Sequence, residues 1–160
     1  MKKLAIGMVV AVLVLSLIIT LIALFTPYTH GLELMVRLFA LWGFLMLAIA
    51  TMMTPYLKQI YQLFGKPFIK IHHIFAILGI AFITAHPIAF AIETMNILVF
   101  VPNFSSWILF WSLAGRPALI LFYIALVGVL LRTKIKTHWR AIHAIMYIVL
   151  IFGFVHTILS

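Results

Sequence analysis

The sequence contains no cysteine, and this absence excludes several kinds of chemistry. Disulfides, iron–sulfur clusters, thiolate catalysis and the C-x-x-C-H attachment of covalent haem all require cysteine. Acidic residues are almost as rare, since Glu33 and Glu93 are the only two, against eleven Lys and Arg. A proton pathway built on carboxylates is therefore poorly supported, and any cofactor must be held by other side chains.

Charge of either sign is scarce. Only 8% of the 160 residues are charged and 67% are hydrophobic, whereas a soluble domain carries about 25% charged residues. A membrane-spanning helix needs about 20 apolar residues. The sequence therefore predicts an all-α fold, an integral membrane bundle of about five transmembrane helices that forms a single domain over residues 1–160. The predicted spans are 4–25, 34–57, 68–94, 117–133 and 138–160, the first an uncleaved helix.

The segment "NILVFVPNFSSWILFW", residues 96–111, separates the third and fourth predicted spans. It is rich in aromatic residues, and Pro102, Asn103, Ser105 and Ser106 interrupt its apolar pattern. Aromatic residues with broken periodicity suit the headgroup boundary of a bilayer. We therefore expect an interfacial or re-entrant segment here.

The positive charges indicate an orientation rather than a nucleic-acid partner. By the positive-inside rule, the side with most Lys and Arg is cytoplasmic. This predicts a multi-pass protein of the cell membrane with a cytoplasmic N-terminus and an exterior C-terminus. Nine cations fall on the predicted inner side, namely Lys2, Lys3, Lys58, Lys66, Lys70, Arg132, Lys134, Lys136 and Arg140, and two on the outer side, Arg37 and Arg116.

Histidines are concentrated in two of the predicted spans. Apart from His138 at the very start of the fifth span, five of the seven lie in the third and fifth, which run in the same direction: His72, His73, His86, His143 and His156. Separations of 13 or 14 residues correspond to roughly 20 Å along a helix. Two depths result, each with a pair of imidazoles, which is what two stacked b-type haems with bis-histidine ligation require. A single intramembrane histidine is often structural, but four at two matched depths favour haem.

Helical phase bears on which histidines are ligands. Residues 14 apart return to within about 40° of one face, which favours His72 over His73 as the companion of His86. His143 and His156 are 13 apart, so we expect a local adjustment near Gly153. His73 is expected to support the inner site, His138 to contact headgroups and His30 to lie in an exterior loop.

Haem propionates need cationic partners. Lys66, Lys70, Lys136 and Arg140 are available at the inner level, although all four also fit plain positive-inside flanks. Arg37 and Arg116 are the only cations predicted on the outer side, and we expect them to serve the outer propionates. The predicted metal ligands are His72, His86, His143 and His156.

Two stretches resemble the ferric reductase-like transmembrane domain family. This family includes ferric reductases, the membrane part of NADPH oxidases and the haem subunit of the periplasmic methionine sulfoxide reductase system. "HWRAIHAIMYIVLIFGFVH" is similar to its pattern of Trp, basic residue, His, Tyr and His, here Trp139, Arg140, His143, Tyr147 and His156. "KIHHIFAILGIAFITAHP" is similar to its other ligand helix. The resemblance implies electron transfer from a cytoplasmic donor through two haems to an exterior acceptor.

The chain contains no nucleotide-binding region, so we expect a separate flavoprotein reductase or a membrane quinol as donor, with flavin or quinone on the inner side. An exterior redox partner would receive the electrons, and reduction of a substrate would occur near Trp107 and Trp111. The sequence leaves the donor, the acceptor and the oligomeric state open. The alternatives are a transporter in which the histidines bind a transition metal or relay protons, and a structural subunit without cofactor.

Overall fold

The computed structural model describes residues 2–27 and 31–159, and within them the chain is helical, with no strand. This confirms the all-α prediction. Four helical stretches are long and apolar enough to cross a membrane, and a fifth apolar helix is shorter. The helices are α1 Lys2–Phe25, α2 Gly31–Met52, α3 Leu57–Phe64, α4 Phe68–Thr94, α5 Trp107–Ser112, α6 Gly115–Leu130, α7 Arg132–Ile135, α8 Trp139–His143 and α9 Met146–Leu159.

The chain divides into two units, Met1–Asn96 and Ile97–Ser160, so whether it forms one domain stays a prediction. In the first unit, α4 has the bounds predicted from the sequence. The second predicted span was placed too far along the chain, because α2 ends at Met52 and a 3-10 turn with Pro55 follows it. Gly65 ends α3 with φ 62°, a conformation that favours glycine.

The helices α2 and α4 pack closely because a glycine on each faces an aliphatic side chain on the other. A Cβ atom at Gly43 would lie 2.8 Å from the backbone nitrogen of Ile83, and one at Gly79 would lie 2.6 Å from Leu47. Such small residues let two membrane helices approach each other. Where α2, α3 and α4 meet, Met53, Ile60 and Ile71 form a buried cluster.

The first helix carries its apolar residues around its whole circumference, and most of them are exposed, as in a helix surrounded by lipid. Its polar residue Thr20 is hydrogen-bonded on both sides. Thr20 donates its hydroxyl proton to the carbonyl of Ser16, and the indole of Trp42 on α2 donates to the Thr20 hydroxyl at 3.2 Å. This bond ties α1 to α2 in a setting with little water.

The second unit begins with the predicted interfacial segment, which is not a continuous helix. A 3-10 turn covers Ile97–Phe100, and α5 begins only at Trp107. The amide of Ser105 donates to the side chain of Asn103, and the hydroxyl of Ser106 caps α5 by accepting from the amide of Leu109. In both hydrogen bonds a side chain takes a backbone amide that could otherwise bond to a helical carbonyl. These bonds explain why no continuous helix forms here.

The fourth predicted span corresponds to α6, which has 16 residues. At 1.5 Å per residue it extends about 24 Å, less than the roughly 30 Å of a hydrocarbon core. A turn at Leu131 separates it from the four-residue helix α7. This span is therefore shorter and more interrupted than the sequence predicts.

We expect the substitution Gly43→Ala to destabilise the first unit. The new methyl group would meet the backbone of Ile83, which cannot rotate away, and overpacking of this kind costs about 1–3 kcal/mol. Unfolding by heat or SDS, followed through the fluorescence of the four Trp residues, measures the loss. The matched control is Gly7→Ala, where a Cβ meets nothing within 4 Å. Equal midpoints for the two variants would contradict the close approach of α2 and α4.

Candidate functional site

Two histidines of α4 are fastened to the main chain of α2. The Nδ1 atom of His72 lies 3.0 Å from the carbonyl oxygen of Ala50, and that of His86 lies 3.0 Å from the carbonyl oxygen of Val36. Both imidazoles are half-buried. His72 and His86 are 14 residues apart, and so are Ala50 and Val36. The same contact is therefore repeated after about 21 Å along two antiparallel helices.

The second unit contains the same kind of contact at His156. The Nδ1 atom of His156 lies 2.7 Å from the carbonyl oxygen of Ser112, and His143, on α8, is half-buried. Ser112 is the last residue of α5, where helical carbonyls lack continuing helical partners. His143 and His156 are 13 residues apart. Main-chain carbonyls thus contact both histidines of the first unit's pair and His156 of the second.

These contacts determine the tautomer of the imidazoles. A carbonyl oxygen can only accept, so Nδ1 of His72, His86 and His156 must carry the proton and donate it. In a neutral ring the Nε2 atom then has the free lone pair. Histidines that bind metal ions are commonly oriented in this way, with the other ring N–H donated to a carbonyl. The donor set therefore fits axial ligation of haem iron through Nε2.

Burial and contacts distinguish His72 from its neighbour. His72 is half-buried and stacks on Phe68, with ring centroids 5.4 Å apart. His73 is exposed, and its ring centroid lies 6.0 Å from that of His72. His72 makes the α2 carbonyl contact that recurs at His86. These observations favour His72, as the helical phase predicts.

The adjustment expected near Gly153 lies elsewhere. Gly153 is inside the regular helix α9, whereas a turn at residues 144–145 separates α8 from α9. There the amide of Ile145 donates to the carbonyl of Ile142, and that of Tyr147 donates to Ala144, both three residues back. A turn of this kind advances about 120° per residue instead of 100°. The turn therefore reduces the angle, measured around the helix axis, between the directions of His143 and His156.

Gly115, the first residue of α6, lies directly against the ring of His156. A Cβ atom at this position would be 2.6 Å from Cδ2 and 2.9 Å from Nε2 of that ring. No pattern in the sequence points to Gly115 or to the three carbonyls that contact His72, His86 and His156. Nothing in a sequence marks a carbonyl, since every residue has one, and Gly115 resembles an ordinary glycine at a helix start.

The two arginines predicted on the outer side bind backbone carbonyls. Arg116 donates to Leu98 at 3.1 Å and to Val101 at 2.9 Å, which fastens the start of the interfacial segment. Arg37 donates to Pro27 at 2.9 Å and forms an ion pair with Glu33. Their binding of propionates stays a prediction.

The cations predicted at the inner level are all exposed: Lys66, Lys70, Lys136 and Arg140. The guanidinium of Arg140 lies 5.5 Å from the centre of the Trp139 ring. His138 is also exposed and contacts Thr137, while His30 lies outside the described residues. Among residues 2–27 and 31–159, no three His, Asp or Glu side chains form a group that could hold a metal ion.

Aromatic side chains extend from the interfacial segment to α9. The rings of Trp107 and Trp111 meet edge to face at 5.6 Å, and Trp111 meets Phe152 at 5.3 Å. Phe152 lies one helical turn before His156. Trp107 is 75% exposed, so the aromatic contacts lead from the surface of this unit toward its second histidine.

Nuclear magnetic resonance of protein labelled with ¹⁵N-histidine tests the tautomer. In cofactor-free protein at a pH where imidazole is neutral, His72, His86 and His156 should carry their proton on Nδ1, because their partners are carbonyls. The exposed His73 is the internal control and should show a mixture of tautomers. Protonation of Nε2 at the three sites would contradict the carbonyl contacts.

No family model, no curated protein and no solved structure matches this chain.

Proposed function

We propose that this chain is a membrane cytochrome of the b type that carries electrons between two non-covalent haems, in the manner of the ferric reductase-like family. The observation that supports this most directly is the contact between Nδ1 of a histidine and a backbone carbonyl, which occurs at two depths in the first unit and again at His156 in the second. The ligands would be the four histidines predicted from the sequence, namely His72, His86, His143 and His156.

In this proposal, backbone carbonyls orient the histidine ligands. The carbonyls of Ala50, Val36 and Ser112 hold the imidazoles in one rotation and keep the proton on Nδ1, so the unprotonated Nε2 is the nitrogen that would bind iron. A neutral imidazole places no net charge in an apolar interior, where an ionised group would be expensive. When bound, haem supplies reversible one-electron oxidation and reduction of its iron.

Electron entry and exit follow from the predicted orientation. The exposed cations of the predicted inner side suit an anionic flavoprotein as donor, and a membrane quinol is the other candidate. On the predicted outer side, the aromatic residues from Trp107 to Phe152 lead toward His156 and are the proposed place of contact with an exterior acceptor. Arg116 supports this side by holding the segment that precedes the tryptophans.

A reduced-minus-oxidised visible spectrum with haem quantitation tests the proposal. Protein purified from haem-replete cells should contain two b-type haems per chain. His86→Ala and His156→Ala should each retain one haem, because each variant removes one ligand of the outer site. The controls His73→Ala and His138→Ala should retain both. Absence of a b-type signal in the unmodified protein would refute the proposal and leave the transporter and the structural subunit.

The substitution Gly115→Ala should perturb the outer haem selectively. Its methyl group would occupy space now filled by the His156 ring, which could move only by giving up its bond to Ser112. We expect up to half of the haem to be lost, or the midpoint potential of one haem to shift. Gly128→Ala is the clash-matched control, since its methyl group would meet Ile142 instead. An outer haem equally perturbed in both variants would contradict a positioning role for Gly115.

A further inference from the structure

An open apolar groove of about 570 Å³ lies on the second unit. One wall is formed by α6 through Ile120, Ile124 and Val127, and the other parts of the lining include Leu131, Ile135 and Ile142. The α6 side chains in this wall are nearly half exposed, between 46% and 48%. Because the groove opens along an apolar helix, a lipid chain could enter it without leaving the hydrocarbon region.

Positive charge is concentrated at one end of this groove. Leu131 and Ile135 line it, and the exposed cations Arg132 and Lys134 lie between them in sequence, with Lys136 immediately after. From Ile97 to the end, the sequence contains no Asp or Glu. No carboxylate side chain of this unit can therefore pair with these three cations. Their combined charge favours an anion that approaches from outside the unit.

We propose that this groove binds an acidic phospholipid, with an acyl chain along α6 and the phosphate beside Arg132, Lys134 and Lys136. The apolar walls match the chain, and the adjoining cations match the anionic headgroup. Phosphate accepts hydrogen bonds from guanidinium and ammonium groups, which strengthens the pairing beyond simple attraction. The site is separate from the proposed haem ligands and does not depend on haem being bound.

Native mass spectrometry of the full chain tests the proposal. Protein in mild detergent is mixed with equimolar phosphatidylglycerol and phosphatidylcholine, and the retained lipid is measured. We expect phosphatidylglycerol to be retained at least about fivefold better, as several cations near one headgroup would produce. The triple variant R132Q/K134Q/K136Q should lose this preference. The matched control K58Q/K66Q/K70Q removes three charges from the first unit and should keep it.

A second pair of variants tests the acyl-chain part of the site. Ile124→Trp fills the groove and should lower retention of phosphatidylglycerol several-fold, whereas Ile151→Trp changes an exposed isoleucine on α9 outside the groove and should not. Glycerol phosphate, which has the headgroup without the chain, should fail to compete. Equal retention of both lipids, an equal effect of both triple variants, an equal effect of both tryptophans, or efficient competition by glycerol phosphate would each overturn the proposal.

Discussion

A neutral imidazole among apolar helices carries one N–H group that must find an acceptor, because leaving it unpaired away from water is expensive. In this protein the acceptors are backbone carbonyls of a neighbouring helix or helix end. Each such bond fixes the rotation of one ring. Two of them on one helix pair also fix the register, since His72 and His86 can reach Ala50 and Val36 together only when the helices are correctly aligned.

Close packing supports the same register. Gly43 and Gly79 bring α2 and α4 near enough for an imidazole of one helix to reach the main chain of the other. In the second unit, Gly115 makes room for the ring of His156, and the tight turn after His143 brings two histidines 13 residues apart closer in phase. The glycines therefore allow the close approach that the histidine–carbonyl hydrogen bonds require. Those hydrogen bonds in turn orient the candidate ligands.

Hydropathy predicted the bounds of α4 and the interruption before Trp107, while the choice of His72 over His73 as ligand stays a prediction. These features follow from the order of side chains along one helix. The early end of α2, the short α6 and the turn at residues 144–145 depend on how neighbouring elements pack, and the sequence pattern misplaced them. The carbonyl partners could not be predicted at all, since every residue offers the same acceptor and only the tertiary structure selects one.

The use of main-chain acceptors has an evolutionary consequence. A carbonyl oxygen persists whichever amino acid occupies the position, so residues 36, 50 and 112 could change identity many times while the imidazoles kept their orientation. The orientation of these rings therefore constrains the path of the backbone and the small residues beside it, and it constrains the side chains at the three acceptor positions very little.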